Sequence, residues 1–223
     1  MLIGVATPNA GGIYVYGDFW DLKDLHTQVH ELVRDANVIT YDQQETLYAF
    51  PHEIRKAYEE CRETRDFGFD DLDTVTYRGT VFAWPAILFY IRQLRCLAAW
   101  GPTGRAVQAA LYRLEALVDK ALKECAPEQY CQIVHSWECI DLMTDEFLGS
   151  YISEVVYEHL FTIPIEDRFK ELPGLLNRFR RFSVEHDDYS KRMWALAREK
   201  GAEHPDELFD AGEGPEPTWQ EKG

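Results

Sequence analysis

A chain of 223 residues is long enough to bury a sizeable core as one domain, or one domain with a small appendage, without disulfides or metals. Its 46% apolar and 13% aromatic content place it among globular proteins. The formal charge is −16, of which residues 201–223 carry −6 through seven acids and one lysine; the remaining −10 disfavours direct nucleic-acid binding, which depends on clustered Lys and Arg.

Leu2 to Ala6 and Ile13 to Tyr16 are short apolar runs around Thr7-Pro8-Asn9-Ala10-Gly11-Gly12, a segment dense in turn formers. They predict an antiparallel hairpin. Gly17-Asp18 ends the second arm, and Asp18 suits a helix N-cap. Phe19, Leu22, Leu25, Val29, Leu32 and Val33 then recur every three or four residues, the period of an amphipathic helix closed by Asp35-Ala36-Asn37. Gln43 to Glu63 predicts a second helix with a break near Phe50, because Pro51 removes a backbone donor and clashes with the preceding turn. Arg62 to Asp73 reads as a polar loop, and residues 74–82 as a third strand or an extended connector.

Trp84 to Trp100 is apolar all round, which predicts a central helix. Arg105 to Cys125 is the cleanest amphipathic pattern. A helix from Pro127 to about Phe147 follows, then one from Tyr151 to Phe161. Two pieces, Glu166 to Lys170 and Pro173 to Phe182, are split at Leu172-Pro173-Gly174, and Val184 to Lys200 is the last helix. The fold class expected is α+β, mainly α: an N-terminal hairpin, or three strands, on a bundle of six to eight helices, all within residues 1–200. Residues 201–223 are acidic and rich in Pro and Gly, which predicts a flexible tail in which Leu208, Phe209 and Trp219 are candidates to dock.

No run reaches the roughly 20 apolar residues of a membrane helix; Arg92, Gln93 and Arg95 interrupt the longest candidate. The first residues lack a basic start and a long apolar stretch, so the expected compartment is the cytoplasm, with no membrane partner. Five scattered cysteines agree with a reducing environment, and Cys61, Cys96 and Cys125 fall in helical patterns as small apolar side chains.

The opening also resembles an uncharacterised bacterial family, a domain of unknown function. Its members begin with Gly-Asp-aromatic-aromatic-Asp-Leu and a Leu-His-Glu-x-Val helix, followed by an Ile-Arg helix. Gly17, Asp18, Phe19, Trp20, Asp21, Leu22, His30, Glu31 and Val33 match the first element, and Ile54, Arg55 and Ala57 the second. His52-Glu53 and Lys56 depart from the family pattern around Ile-Arg. At low similarity the resemblance continues to about Leu208, with Tyr151, Arg168 and Tyr189 in familiar places. It implies a fold and no reaction.

His26 and His30 share a helix face and about 6 Å of axis, but no third metal ligand is indicated; one surface and one partly buried histidine is the plainer expectation. Cys131, His135 and Cys139 at i, i+4 and i+8 span about 12 Å, too far for one ion, so burial is expected. Asp141, Asp145 and Glu146 read as a solvated helix face. Phosphate loops, dinucleotide fingerprints, serine elbows and kinase motifs are missing from the sequence. Asp18, His30, Glu31 and Arg55 remain as candidate ligand-binding residues; His30, Glu31 and Arg55 are read first as a lock between two adjacent helices. No cofactor or metal is implied. The leading reading is a non-enzymatic module that binds a protein or itself, motivated by acidity and by aromatics such as Trp84, Trp100, Trp137 and Trp194. The alternatives are a small-molecule-binding protein or enzyme with a pocket beside the hairpin, and an acidic nucleic-acid mimic acting on a basic partner.

Overall fold

The opening hairpin forms as the sequence predicts. A computed structural model, which describes residues 1–60, 62–70, 73–101, 103–143 and 147–202 together with Pro205 and Trp219, pairs β1 (Ile3–Ala6) antiparallel with β2 (Gly12–Gly17), Ile3 opposite Tyr16. The turn between them closes on its own side chains. Gly12 N donates to Thr7 Oγ1 at 2.9 Å, and Gly11 N to Asn9 Oδ1 at 3.1 Å. Ala10 sits at φ 53°, in the left-handed region that non-glycine residues rarely adopt. Gly12 must be glycine, since a Cβ there would lie 2.1 Å from the Phe82 carbonyl oxygen.

Asp18 starts α1 (Phe19–Arg34): its carboxylate accepts from Trp20 N and Asp21 N, both at 2.8 Å. These amides have no partner inside the helix, so the cap replaces water that the turn would otherwise need. Asp18→Ala is expected to cost about 1 kcal/mol, read as a lowered urea midpoint with unchanged slope; an unchanged midpoint would show that the cap is redundant. Leu22, Leu25, Val29 and Val33 form the buried stripe.

Along the middle of the chain two expectations are corrected and one open alternative is settled. First, α2 (Tyr41–Glu60) runs through Pro51 without a break. One backbone hydrogen bond is forfeited, but Leu47, Phe50, Pro51 and Ile54 are all buried, and that packing outweighs the loss. Second, Glu63 to Asp70 is no loop but strand β3 (Glu63–Asp70), paired antiparallel with β4 (Asp73–Ala83). Third, β4 settles the alternative left open for residues 74–82: it lies between β2 and β3, giving a four-stranded sheet in the order β1-β2-β4-β3. Ile13, Val15 and Phe82 face the helical core, whereas Tyr14, Tyr16 and Tyr77 form a separate cluster on the outer face.

Trp84 opens α3 (Trp84–Leu97) and α4 (Arg105–Cys125) has the predicted bounds. The helix expected to reach Phe147 stops early, as α5 (Tyr130–Glu138). Side chains of α3 take over the backbone groups beyond it: Arg92 Nε donates to Ile140 O at 2.8 Å, Gln93 Nε2 to Asp141 O at 2.7 Å, and Met143 N donates to Gln93 Oε1 at 2.9 Å. Asp141 therefore lies outside a helix, and the expected acidic helix face does not form there. Cys131 and His135 are exposed rather than buried, and Cys139 is half-buried.

Next, α6 (Leu148–Tyr157) continues into a π turn (Glu158–Thr162) and a 3-10 turn (Ile165–Asp167). The split expected at Pro173 is absent, because α7 (Arg168–Asn177) passes through it with Leu172, Leu175 and Leu176 buried around the ring. The last helix, α8 (Val184–Lys200), is capped by Ser183 and ends at Gly201 with φ 72°. The architecture is α+β and mainly α, with eight α-helices among the described residues. No helix among them is long and apolar enough to cross a membrane. Cys61, Pro102, Asp145, Glu146, Leu208 and Phe209 lie outside the described residues. Trp84 and Trp137 belong to the core, and Trp194 packs against it half-buried.

The outermost turn is tied to the helical body by two buried polar residues. Arg168 donates from its Nη1 to Asn9 O at 2.8 Å and from its Nη2 to Leu160 O at 2.5 Å. The His159 ring, fully buried in the π turn, lies with Nε2 3.2 Å from Ala10 O.

Candidate functional site

The α1 and α2 helices run antiparallel, and their shared edge carries a continuous series of rings. On α1, Phe19, His26 and His30 recur at helical spacing; on α2 Tyr48 and His52 do so, and Tyr58 joins them further along the helix. Trp20 meets Phe19 edge-on at 5.1 Å between centroids, and Phe19 meets Tyr58 at 5.4 Å. Tyr58 lies 5.9 Å from His26, which is 5.7 Å from His30. His30 stacks on Tyr48 at 4.9 Å, and Tyr48 on His52 at 6.0 Å. The ladder is wet at both ends, where Trp20, Phe19 and His52 are exposed; between them Tyr58 is buried and His26, His30 and Tyr48 are half-buried.

His26 is its chemical centre. Burial, then the neighbouring His30, Arg55 and His52, lowers its pKa to about 4, so the ring is neutral at pH 7. A neutral ring can accept at Nδ1 from the Tyr58 hydroxyl, 3.1 Å away. Burial raises the Tyr58 and Tyr48 hydroxyls above their ordinary values, so both stay protonated. Lys23 extends its ammonium over Phe19 and Trp20, 5.6 and 5.5 Å from the ring centroids.

The four residues singled out by sequence do not form one cluster. His30 belongs to the ladder, and it is half-buried like His26, so the expected surface histidine is absent from this pair. Arg55 is exposed and pairs with Glu59 of its own helix at 3.3 Å, although it stands close enough to depress His26. Asp18 is engaged in the cap. Glu31 lies on another side of α1, where it lines a cleft of about 390 Å³ with Asp35, Trp100 and Val107. The lock between α1 and α2 is thus not an Arg55–Glu31 pair. It is made by Tyr58 on His26, by the stacked rings, and by Gln44 Nε2 donating to Val33 O and Ala36 O at 3.3 and 3.0 Å.

Among the described residues no three His, Cys, Asp or Glu side chains converge on a point where a metal ion would fit. What the ladder offers is a rigid strip of amphipathic rings, apolar on their faces and able to hydrogen-bond at their edges. Tyr48, His52 and Tyr58 escaped the sequence reading, although Tyr48, His52 and Arg55 follow one another at i, i+4 and i+7; a helix assumed broken at Pro51 hides that spacing. No curated protein and no solved structure matches the chain. A family model does match, over residues 2–219, and the chain belongs to that family, the domain of unknown function DUF6904.

Proposed function

We propose that this chain is a non-enzymatic protein-interaction module of the cytoplasm, and that a protein partner or a second copy docks on the Trp20–Phe19 end of the ladder. The observation that carries the reading is Trp20, 71% exposed, at the capped and therefore rigid first turn of α1. An indole fixed in water by its neighbours loses little conformational freedom on binding, and tryptophan is enriched among residues that dominate interface energy. Lys23 adds a cation over both rings, and the acidic body favours a partner with a basic surface. The described cysteines are free thiols, in keeping with a reducing compartment.

Trp20→Ala is expected to weaken partner capture from native extract, or self-association followed by light scattering, by tenfold or more, the scale of one hot-spot residue. A wild-type chain that stays monomeric and captures nothing in a Trp20-dependent way would overturn the proposal. A second reading, a small-molecule-binding protein or enzyme, draws on the neutral His26 beside the Tyr58 hydroxyl, a hydrogen-bonded pair that a polar ligand could join. It ranks lower because Asp18 and Arg55, the groups expected to hold a ligand there, are already engaged by the cap and by Glu59.

A further inference from the structure

Among the described residues no helix joins the apolar cluster on the outer face of the sheet, yet that face is not open to water. Its centre is Tyr14, Tyr16 and Tyr77, only 9, 5 and 5% exposed. Ile3, Val5, Phe67 and Val81 pack around them from the strands, and Trp219 joins them, the one cluster member among the described residues that lies outside the sheet. The rings interlock: Tyr14 stacks on Tyr16 at 5.7 Å, Phe67 meets Tyr16 at 5.6 Å and Tyr77 at 5.4 Å, and the Tyr16 ring covers Gly79, where a Cβ would lie 2.4 Å from it. Trp219 is itself half-buried. A residue seventeen positions beyond Ala202 in sequence thus packs on the face that no described helix covers.

The chemistry of that segment suits the surface. Trp219 follows Pro215 and Pro217 and is flanked by Glu213, Glu216 and Glu221. Prolines limit the freedom a peptide loses on docking, and aromatic-lined surfaces are the usual receptors of such segments. Arg65, on the same face of β3 as Phe67, places a guanidinium 5.3 Å from the Phe67 ring, a cation that offsets the neighbouring Glu63 and that an acidic peptide can meet.

We propose that the outer sheet face is a peptide-binding surface for a tryptophan-anchored, proline-containing acidic segment, and that the chain's own C-terminal segment occupies it in cis through Trp219. The assignment does not rest on the Trp20 edge, which lies on another element. Tethering gives the segment an effective concentration on the order of 1 mM, so a free copy binding at about 0.1 mM must compete about tenfold against it.

The test uses the full chain and a synthetic peptide of residues 212–223. The peptide is expected to bind full-length Trp219→Ala protein about tenfold more tightly than wild type, with amide shifts in β1, β2, β3 and β4, and a Trp219→Ala peptide is expected not to bind. Equal binding to both proteins, binding to neither, or shifts confined to the helices would overturn the proposal. Wild-type dimers that dissociate in the Trp219→Ala variant would overturn the cis assignment in favour of exchange between copies.

Discussion

Arg168→Met is expected to lower stability by about 3 kcal/mol. Arg168 is 6% exposed, and its described hydrogen bonds go to backbone carbonyls rather than to a carboxylate. Burial pulls its pKa below the ordinary arginine value. Two effects oppose each other in the substitution. Removing a buried cation recovers part of its desolvation cost. Against this, Asn9 O and Leu160 O lose their donor in a dry place, at about 1–3 kcal/mol each. The second effect is expected to win, because methionine fills the volume but donates nothing. At a urea slope of about 2 kcal/mol/M the midpoint falls by about 1.5 M. Arg168→Lys is expected to recover only part of the loss, since one ammonium on a flexible stem does not reproduce a planar fork that reaches two carbonyls from separate elements. A Met variant within about 0.5 kcal/mol of wild type, on the scale of a neutral surface change, would show that the turn stands without its tie.

That tie also shows where the sequence stops being informative. Helices with a stripe of periodic apolar residues are legible: Arg105–Cys125 and Val184–Lys200 have the predicted bounds. Propriety of local signals fails where tertiary burial outvotes them. Pro51 and Pro173 each mark a break in isolation, but each is held between buried neighbours that keep the helix going. Strand β3 was hidden for a different reason. Thr64, Arg65 and Asp66 face water at a sheet edge, so no apolar alternation is present to read. The candidate site was half legible: His26 and His30 stand out by spacing, whereas Tyr48 and Tyr58 acquire meaning only once α2 lies antiparallel to α1. Arg168 and His159 meet the Asn9–Ala10 turn from 159 and 149 residues away, and no local pattern reports such a contact.

Acidification is expected to weaken the fold well above the range in which most carboxylates protonate, and His159 is the main cause. Its ring is fully buried, and burial followed by the nearby Arg168 cation lowers its pKa to about 4, against about 6.5 in the unfolded chain. A histidine depressed in the folded state binds its proton preferentially when unfolded. Its contribution is therefore fully present above pH 6.5 and is lost as pH falls from there toward 4. Integrated from pH 7.5 to pH 5, one such group removes about 2 kcal/mol. His26, depressed in the same direction but only half-buried, adds a smaller share. His159→Gln keeps a donor for Ala10 O and cannot titrate. Urea unfolding at pH 7.5 and pH 5 is expected to show the difference between the two conditions shrinking by about 2 kcal/mol in that variant. His26→Gln is expected to shrink it less. Arg168→Met, by removing the neighbouring cation, is expected to raise the His159 pKa and flatten the same slope in part. An unchanged pH dependence in His159→Gln would place the acid sensitivity elsewhere and leave the buried imidazole a packing element only.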